Sequence, residues 1–367
     1  MTALRPMVLR TTPLLLLLAL VTLSTVLGSL GGESIDRVVV GALINLVIVV
    51  GLYSFTGLTG VFSFGHLGFV AIGAYVVAVL TVPADLKEVL FRDMASSVQG
   101  AETSFALAVV LGGLVAAAVA AVLALPLSRM AGLTAGLATI AILVTAVALA
   151  SNWKSVTNGV QGISAIPTNT TTVVALVTAL LVIVLVWVFQ ESSMGLKIKA
   201  TREDPIAARA MGIRVGWVRG VALVFSAFIV GIGGGLYAQL QGNVAPSAFY
   251  LAPTFLILAM LLIGGVGSLA GAVVGAILIS ALREFLRRIE AGIDVGPVSF
   301  PGRPGLMEVG LALSMLLIMI LRPSGLMGGR ELSIDALAHA GRWIRHPFGN
   351  RAPGPNHPAS DEQGGPA

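Results

Sequence analysis

The sequence has no cysteine and very little charge, and both shortages limit what the protein can do. Without cysteine the chain can form no disulfide, no thiolate metal site and no cysteine nucleophile. Only 11% of its 367 residues are charged, whereas 56% are hydrophobic. A soluble domain of this length could not hide so much apolar surface from water. The composition and the mean hydropathy of +0.97 therefore indicate a protein that lies in a membrane.

Motifs that support catalysis are also absent from the sequence. It contains no G-x-x-x-x-G-K-[ST] phosphate loop and no H-E-x-x-H zinc motif. Three of its four histidines lie beyond the last long apolar run. We therefore expect no catalytic residue and no metal site. The net charge of +5 is spread over loops beside apolar runs, with no basic face interleaved with aromatic residues, which argues against nucleic-acid binding.

Long apolar runs follow one another along most of the chain. Together with loop charge they predict an all-α, polytopic transmembrane bundle of about ten spans, with both termini in the cytoplasm. If the two runs after residue 253 form a re-entrant or broken helix, the number is eight or nine. The runs are residues 13–30, 38–55, one ending near 82, 104–127, 133–150, 172–189, 218–240, 254–263, 269–286 and 305–321.

The predicted organisation has three parts. Residues 1–12 form a cytoplasmic N-terminus, and residues 13–327 form the transmembrane domain. Residues 328–367 are rich in Pro, Gly, His and charge, so we predict a partly disordered cytoplasmic tail. The basic start and first apolar run could also be a signal peptide. We favour a membrane span, because the run is long for a signal sequence and no convincing cleavage site follows it.

A basic segment, residues 190–219, interrupts the apolar runs. Short loops rich in Lys and Arg beside membrane helices remain in the cytoplasm. Within it, Asp204 is a good N-cap, Pro205 suits the first helical position and Gly212 suits a left-handed stop. These signals predict a short helix outside the membrane. Its apolar ridge, at i, i+4 and i+7, consists of Ile206, Ala210 and Ile213.

A second unusual stretch, residues 56–75, is rich in Gly and Ser and contains a histidine. Such a sequence suits an unwound segment, which is tolerated at membrane depth only where it is buried in protein or lines a cavity. It is therefore our leading candidate for a translocation path. For the histidine, a bond to a neighbouring helix is the commoner role and stays open. The candidate path residues are Asn45, Gly57, Gly60, Ser63, Gly65 and His66.

Two further features concern packing and energy supply. Gly267, Gly271 and Gly275 form two consecutive GxxxG steps, which favour close helix packing. The predicted spans hold almost no ionisable residue apart from Glu308. Ion-coupled carriers usually place carboxylates or broken-helix ion sites at mid-depth. This scarcity argues for energy supplied from outside the chain, against the rival hypothesis of a self-sufficient secondary carrier or channel.

Several of these stretches resemble one family. REDPIAARAMGI (202–213) resembles the cytoplasmic coupling loop of ABC importer permeases, with Ala207, Ala208 and Gly212 in the positions of the Glu-Ala-Ala…Gly motif. GLTGVFSFGHLGFVAIGAY (57–75), TNGVQGISAIP (157–167), LLIGGVGSLAGAVVGA (261–276) and RPSGL (322–326) resemble, in this order, the LivM-type permeases of branched-chain amino acid importers. The resemblance extends over roughly residues 38–327.

The resemblance implies a permease subunit in a bacterial inner (cytoplasmic) membrane, with membrane lipid around it. It implies a second, LivH-like permease, two ATP-binding subunits and a periplasmic substrate-binding protein. No cofactor is expected on this chain, because ATP would bind the partner subunits. The implied substrates are branched-chain or related amino acids, with urea, short amides and sugars as alternatives. Residues 157–167 could contact a docked partner or form a plain turn. The implied coupling residues are Arg202, Glu203, Asp204, Pro205, Ile206, Ala207, Ala208, Arg209 and Gly212.

Overall fold

The computed structural model of the chain is a bundle of α-helices. It describes residues 4–91, 95–127, 130, 133–295, 298–300, 302, 304–322 and 325–328. Residues 329–367, which include nearly all of the predicted tail, lie outside the described part. The helices are α1 (Leu4–Ser29), α2 (Glu33–Thr59), α3 (His66–Thr81), α4 (Ala84–Leu90), α5 (Ser96–Gln99), α6 (Phe105–Leu127), α7 (Leu133–Asn152), α8 (Lys154–Thr157), α9 (Thr172–Glu191), α10 (Ser193–Glu203), α11 (Pro205–Ala210), α12 (Val215–Gln241), α13 (Leu251–Gly264), α14 (Leu269–Ala291) and α15 (Leu306–Leu321).

Eight of the described helices are long and apolar enough to cross a membrane. They are α1, α2, α6, α7, α9, α12, α13 with the short 3₁₀ turn before it, and α14. Two shorter apolar helices, α3 and α15, complete the set. The predicted polytopic helical bundle of eight to ten spans is therefore confirmed. The orientation of its termini across the membrane stays a prediction.

The centre of the bundle is α12, which packs against α2, α3 and α6. Glycines allow these backbones to touch. A Cβ added at Gly73 of α3 would lie 2.1 Å from the carbonyl oxygen of Gly231, and one added at Gly234 would lie 2.0 Å from that of Val70. Without a hydrophobic driving force between helices in lipid, such close backbone approach supplies the van der Waals contact that holds them together.

A second tightly packed unit is the helical hairpin of α13 and α14. A Cβ added at Gly264 would lie 1.9 Å from the carbonyl oxygen of Gly271, and one added at Gly275 would lie 2.0 Å from that of Met260. Gly267 lies in the turn between the two helices rather than at their crossing. Of the three glycines predicted for helix packing, two therefore lie in the helix contact, and Gly264 supplies the facing surface.

The contacts at helix ends define two ends of the bundle. At one end, here called the coupling end, lie α10, α11 and the turn between α13 and α14, whose Val266 carbonyl approaches Gly57 near the end of α2. The chain after α15 returns to this end, because the backbone N–H groups of Leu326 and Met327 donate to the carbonyls of Ile263 and Gly264. The turn between α1 and α2 lies at the opposite end.

The opposite end is built from loops that pack on one another. Ile163 and Val244 form an isolated antiparallel bridge, with N–H···O distances of 2.9 and 2.8 Å. In α4, the ammonium of the buried residue Lys87 donates to the carbonyl of Ala101. Burial lowers the pKa of Lys87, and the charge of Glu102 partly offsets this effect. Because Ile163 bonds to Val244, the segment 157–167 is an ordered part of this end.

One short element was not predicted. The stretch 287–304, which lies between the last two predicted apolar runs, contains the end of α14 and a small antiparallel hairpin of strands β1 (Ile293–Val295) and β2 (Val298–Phe300). Its sequence, IDV-GP-VSF, has β-branched residues on both sides of a Gly-Pro pair, which is a turn signal. Each strand has only three residues, which is too short for a recognisable strand pattern between long helices, so the hairpin could not be predicted from the sequence.

Candidate functional site

The basic segment folds into two consecutive helices, α10 and α11. The short helix after Asp204 was predicted, but α10 before it was not. Ser192 is the N-cap of α10, and its hydroxyl accepts a hydrogen bond from the N–H of Gly195 at 3.2 Å. The buried side of α10 holds Ile198 and Thr201. In the sequence, Ser192 is a signal for the start of this helix, but it was not recognised among the charged residues that follow.

The ends of α11 have the geometry that its sequence predicts. One carboxylate oxygen of Asp204 accepts hydrogen bonds from the N–H groups of Ile206 (2.7 Å) and Ala207 (3.0 Å), and Pro205 occupies the first helical position. At the other end, Gly212 has φ +80°. Its N–H donates to Arg209 and that of Ile213 donates to Ala208, which is the Schellman pattern. The six-residue helix is therefore fixed at both ends.

The outer side of α11 is apolar and open. Ile206 is 76% exposed and Met211, just after the helix, is 83% exposed. Ala210 is also exposed, whereas Ile213 is half-buried and Ala208 is buried. The predicted ridge therefore consists of Ile206 and Ala210 together with Met211, which the sequence pattern did not include. The remaining candidate coupling residues Glu203, Ala207 and Arg209 are exposed as well.

Two arginines attach α10 to the bundle. A guanidinium nitrogen of Arg202 donates to the carbonyl of Gly57, in the last turn of α2. Its side chain also lies against Gly60, where an added Cβ would be 3.0 Å from the Arg202 Cγ. On the other side, Arg219 of α12 donates to the carbonyl of Thr201 at 3.2 Å. The α10–α11 pair is therefore linked to both central helices of the bundle.

The stretch after α2 is unwound, as its sequence predicts. Gly60 ends α2 with φ +72°, and residues 60–65 are not helical. The stretch runs back into the bundle, where Phe64 N–H donates to the hydroxyl of Thr139 at 2.9 Å. A Cβ added at Gly65 would lie 2.5 Å from the Thr139 carbonyl oxygen. Gly60 and Gly65 thus allow a left-handed stop and a close approach to α7.

His66, Ser63 and Ser226 form one buried hydrogen-bonded chain. His66 Nδ1 lies 2.7 Å from the Ser63 hydroxyl, and Nε2 lies 2.8 Å from that of Ser226. Ser226 donates its single hydrogen to the carbonyl of Gly51 at 2.6 Å, so it must accept from Nε2–H. In the neutral imidazole Nδ1 then accepts from Ser63. Both ring nitrogens are hydrogen-bonded and His66 is 1% exposed, which fits the alternative role of linking helices.

Asn45 differs from the other candidate path residues. It is half-buried on α2, and its amide has no hydrogen-bond partner within the described part of the chain. On the same face, one turn earlier, a Cβ added at Gly41 would meet nothing within 4 Å. Asn45 is the thirteenth residue of α2, about 18 Å from its start at 1.5 Å per residue. The face is therefore open near the middle of the helix.

A cavity of about 480 Å³ lies between the unwound stretch 60–65 and the α10–α11 pair. Gly60 and Phe62 of the unwound stretch form one wall. Arg202, Pro205 and Arg209 of the basic segment 190–219, called the coupling segment from here on, form another. A displacement of α11 would therefore change the surroundings of the unwound stretch directly. Gly60 and Arg202 are 142 residues apart in the sequence, and no sequence pattern indicates that they line the same cavity.

Comparison with known proteins identifies the family. Residues 34–321 match the family model described as branched-chain amino acid transport system, permease component. The chain is 29% identical over 319 residues to the permease protein LivM of Salmonella typhimurium and to that of Escherichia coli, which covers 78% of this chain and 68% of each relative.

A weaker similarity links the chain to the second permease type. It is 27% identical over 181 residues to LivH of Salmonella typhimurium, covering 49% of this chain and 54% of that protein. No solved structure gives a significant match. Since the family model covers most of the bundle and all of the coupling segment, this chain, a multi-pass membrane protein, belongs to the family of branched-chain amino acid transport permeases.

Proposed function

We propose that this chain is one permease subunit of a binding-protein-dependent ABC importer for branched-chain or related amino acids. The observation that carries the proposal is α11, a helix capped at both ends, apolar on its outer side and attached to α2 through Arg202. Membership of the permease family supports it. A short, stiff helix that presents exposed anchors suits a groove on another protein.

The proposed assembly contains a LivH-like permease, two ATP-binding subunits and a periplasmic substrate-binding protein. ATP binds to and is hydrolysed on the ATP-binding subunits, and no cofactor binds to this chain. The chain lies in the bacterial inner membrane with its coupling end and both termini in the cytoplasm. The basic residues of the coupling segment support this orientation, because such loops are retained inside.

The proposed mechanism is a movement of α11 that reaches the membrane helices. When the ATP-binding subunits move, α11 carries α10 with it through the Asp204 junction. Arg202 then pulls on the carbonyl of Gly57, directly before the unwound stretch 60–65. Arg219 transmits the same displacement to α12. Nucleotide can drive this change only as far as it binds the two conformations with different affinity.

We place the translocation path along the open face of α2 that carries Asn45. An unpaired amide is costly in hydrocarbon, so this side chain needs water, substrate or a polar group of the second permease. Ser63, Gly65 and His66 lie inside this chain and hold the path's wall in place. Replacing Asn45 with Leu is expected to alter uptake without affecting assembly. Uptake equal to that of the unaltered protein would show that Asn45 is not part of the path.

The coupling proposal is tested by charging the exposed ridge of α11. Ile206→Glu and Met211→Glu change side chains that are 76% and 83% exposed, so the fold should tolerate both. We expect the ATP-binding subunits to be lost from a mild-detergent pull-down, and amino acid uptake with them. Val160→Glu, at a 77% exposed position of the opposite end, is the matched control for retention of those subunits.

Two results would contradict the proposal. Full retention of the ATP-binding subunits in both α11 variants would exclude α11 as the contact. Uptake by the purified chain alone in liposomes, driven by an ion gradient, would identify a secondary carrier. Leucine, urea, short amides and sugars should be offered in parallel to the co-purified binding protein, and leucine is expected to bind.

A further inference from the structure

The cavity beside the coupling segment carries an excess of positive charge. Its walls include Arg202, Arg209 and Arg219, and among the described residues no Asp or Glu lines it. Arg202 and Arg219 each donate one hydrogen bond to a backbone carbonyl, which leaves their charge uncompensated. The side chain of Arg209 forms no hydrogen bond or ion pair with the described part of the chain. We call this space the arginine cavity.

Two acidic residues of the same segment already have partners of their own. Glu191 pairs with Lys199 at 3.6 Å, and Asp204 accepts the two N–H groups that begin α11. Arg219 also has a buried Nε for which the described residues offer no acceptor. A buried cationic donor without a partner is costly, and three like charges around one cavity repel one another. An anion in the cavity would relieve both effects.

Most of the rest of the cavity wall is apolar, with Thr59 and Thr201 as its other polar residues. Phe62 and Phe64 of the unwound stretch and Leu137 of α7 contribute to it. Phe62, which lies between two helices, is 46% exposed, and Leu137, within the spanning helix α7, is 59% exposed. Leu137 and Arg219 are each the fifth residue of an apolar spanning helix, so charge and apolar surface meet at the depth of the membrane boundary.

We propose that the arginine cavity binds one anionic phospholipid, with the phosphate among the arginines and an acyl chain along Phe62 and Leu137. The inference rests on the proposed orientation, which places this end in the anionic cytoplasmic leaflet, where each basic residue contributes attraction. The occupant is chosen by chemistry. A free phosphate would leave the apolar wall unused, and an amino acid would need an acceptor for its ammonium group, which no carboxylate here supplies.

The consequence is a link between lipid and coupling. The lipid would contact Arg202 and Arg209 of the coupling segment and Phe62 of the unwound stretch simultaneously. It would therefore stabilise one relative position of these two elements, since a bound ligand favours the conformation that it contacts best. Anionic lipid content would set how readily α11 moves. This role differs from general solvation by lipid, because it depends on three particular arginines.

The test is native mass spectrometry of the purified full-length chain with added lipid. Dioleoyl phosphatidylglycerol should bind to the unaltered chain more tightly than dioleoyl phosphatidylcholine. Arg209→Gln should weaken phosphatidylglycerol binding about fivefold, the effect of removing one basic residue at a membrane surface. Because Arg209 is exposed, the substitution leaves the core intact. Arg209→Lys, which keeps the charge, should weaken binding less.

Arg214→Gln is the matched control, because Arg214 is an exposed arginine of the same segment that does not line the cavity. Phosphatidylglycerol affinity should be unchanged in this variant. Equal binding of the two lipids, or equal losses in the Arg209 and Arg214 variants, would overturn the proposal. Displacement of the lipid by inorganic phosphate would overturn it in favour of a free anion, and displacement by leucine would overturn it in favour of an amino acid. None of these measurements needs ATP or a partner subunit, so they are independent of the coupling test.

Discussion

At the residue scale, the hydrogen bonds of buried side chains decide which polar groups are structural. Ser54 and Ser226 both donate to the carbonyl of Gly51, at 2.7 and 2.6 Å. Ser54 belongs to the same helix as its acceptor, whereas Ser226 joins α12 to α2 and also accepts from His66. Two serines with the same acceptor therefore have different effects on the bundle, and this difference can be measured.

Ser226→Ala is expected to destabilise the protein more than Ser54→Ala. The first substitution leaves Nε2–H of His66 buried without an acceptor, at a cost of about 1–3 kcal/mol. The second removes a hydroxyl that bonds only within its own helix. The measurement is the thermal midpoint of the detergent-solubilised protein, followed by size-exclusion chromatography. A similar midpoint for both variants would mean that the His66 chain does not hold α2 and α12 together.

Asp204 has two separable properties, its cap and its charge. Asparagine caps a helix as well as aspartate, whereas alanine loses about 1 kcal/mol of helix stability. If α11 acts as a stiff lever, we expect Asp204→Asn to retain uptake and Asp204→Ala to reduce it. The measurement is amino acid uptake in cells, at equal amounts of membrane-inserted chain. Equal loss in both variants would instead show that the carboxylate charge meets a basic group of a partner.

At the element scale, the sequence predicts features that depend on neighbouring residues, but not contacts between residues far apart in the chain. Apolar runs predicted the membrane helices, because lipid requires each span to satisfy its own backbone hydrogen bonds. The Asp204–Gly212 pattern predicted α11, since caps are local. The link from His66 to Ser226 spans 160 residues, and the one from Arg202 to Gly57 spans 145, so no local pattern could reveal either.

In the α13–α14 hairpin, only two of the three glycines of the predicted GxxxG motif lie where the helices cross. A GxxxG pattern predicts small residues at a crossing, but the helix break at the Gly265–Ser268 turn moves Gly267 out of it. Gly264 faces Gly271 and Gly275 instead. The periodicity therefore identified the packing surface correctly for two residues, and only the turn geometry identified the third.

Gly275→Ala is expected to loosen this hairpin. The added Cβ would lie 2.0 Å from the Met260 carbonyl oxygen, so the two backbones must separate. Overpacking of this kind costs about 1–3 kcal/mol. Gly41→Ala is the matched control, because it also adds one methyl to a helix of the bundle but meets nothing within 4 Å. A lower thermal midpoint for Gly275→Ala alone is the expected result, and equal midpoints would contradict tight packing.

At the scale of the whole molecule, the arrangement of the two ends determines what can reach the coupling segment. Met211 lies at the coupling end, and the 78% exposed Leu30 follows α1 at the opposite end, where the 77% exposed Val160 also lies. ATP-binding subunits can meet α11 only if the coupling end is cytoplasmic. The basic residues of the segment favour this orientation, but the arginines near the end of α14 then lie outside.

The absence of cysteine allows a direct test of this orientation, because every introduced thiol is the only one in the chain. We expect a membrane-impermeant maleimide to label Leu30→Cys and Val160→Cys in spheroplasts of intact inner membrane. Met211→Cys should be labelled only after the membrane is permeabilised. The chain is produced without its partner subunits, so all three positions are highly exposed and differences in labelling report the side of the membrane rather than burial. Labelling of Met211→Cys from outside would invert the topology and remove α11 from the reach of any cytoplasmic ATPase.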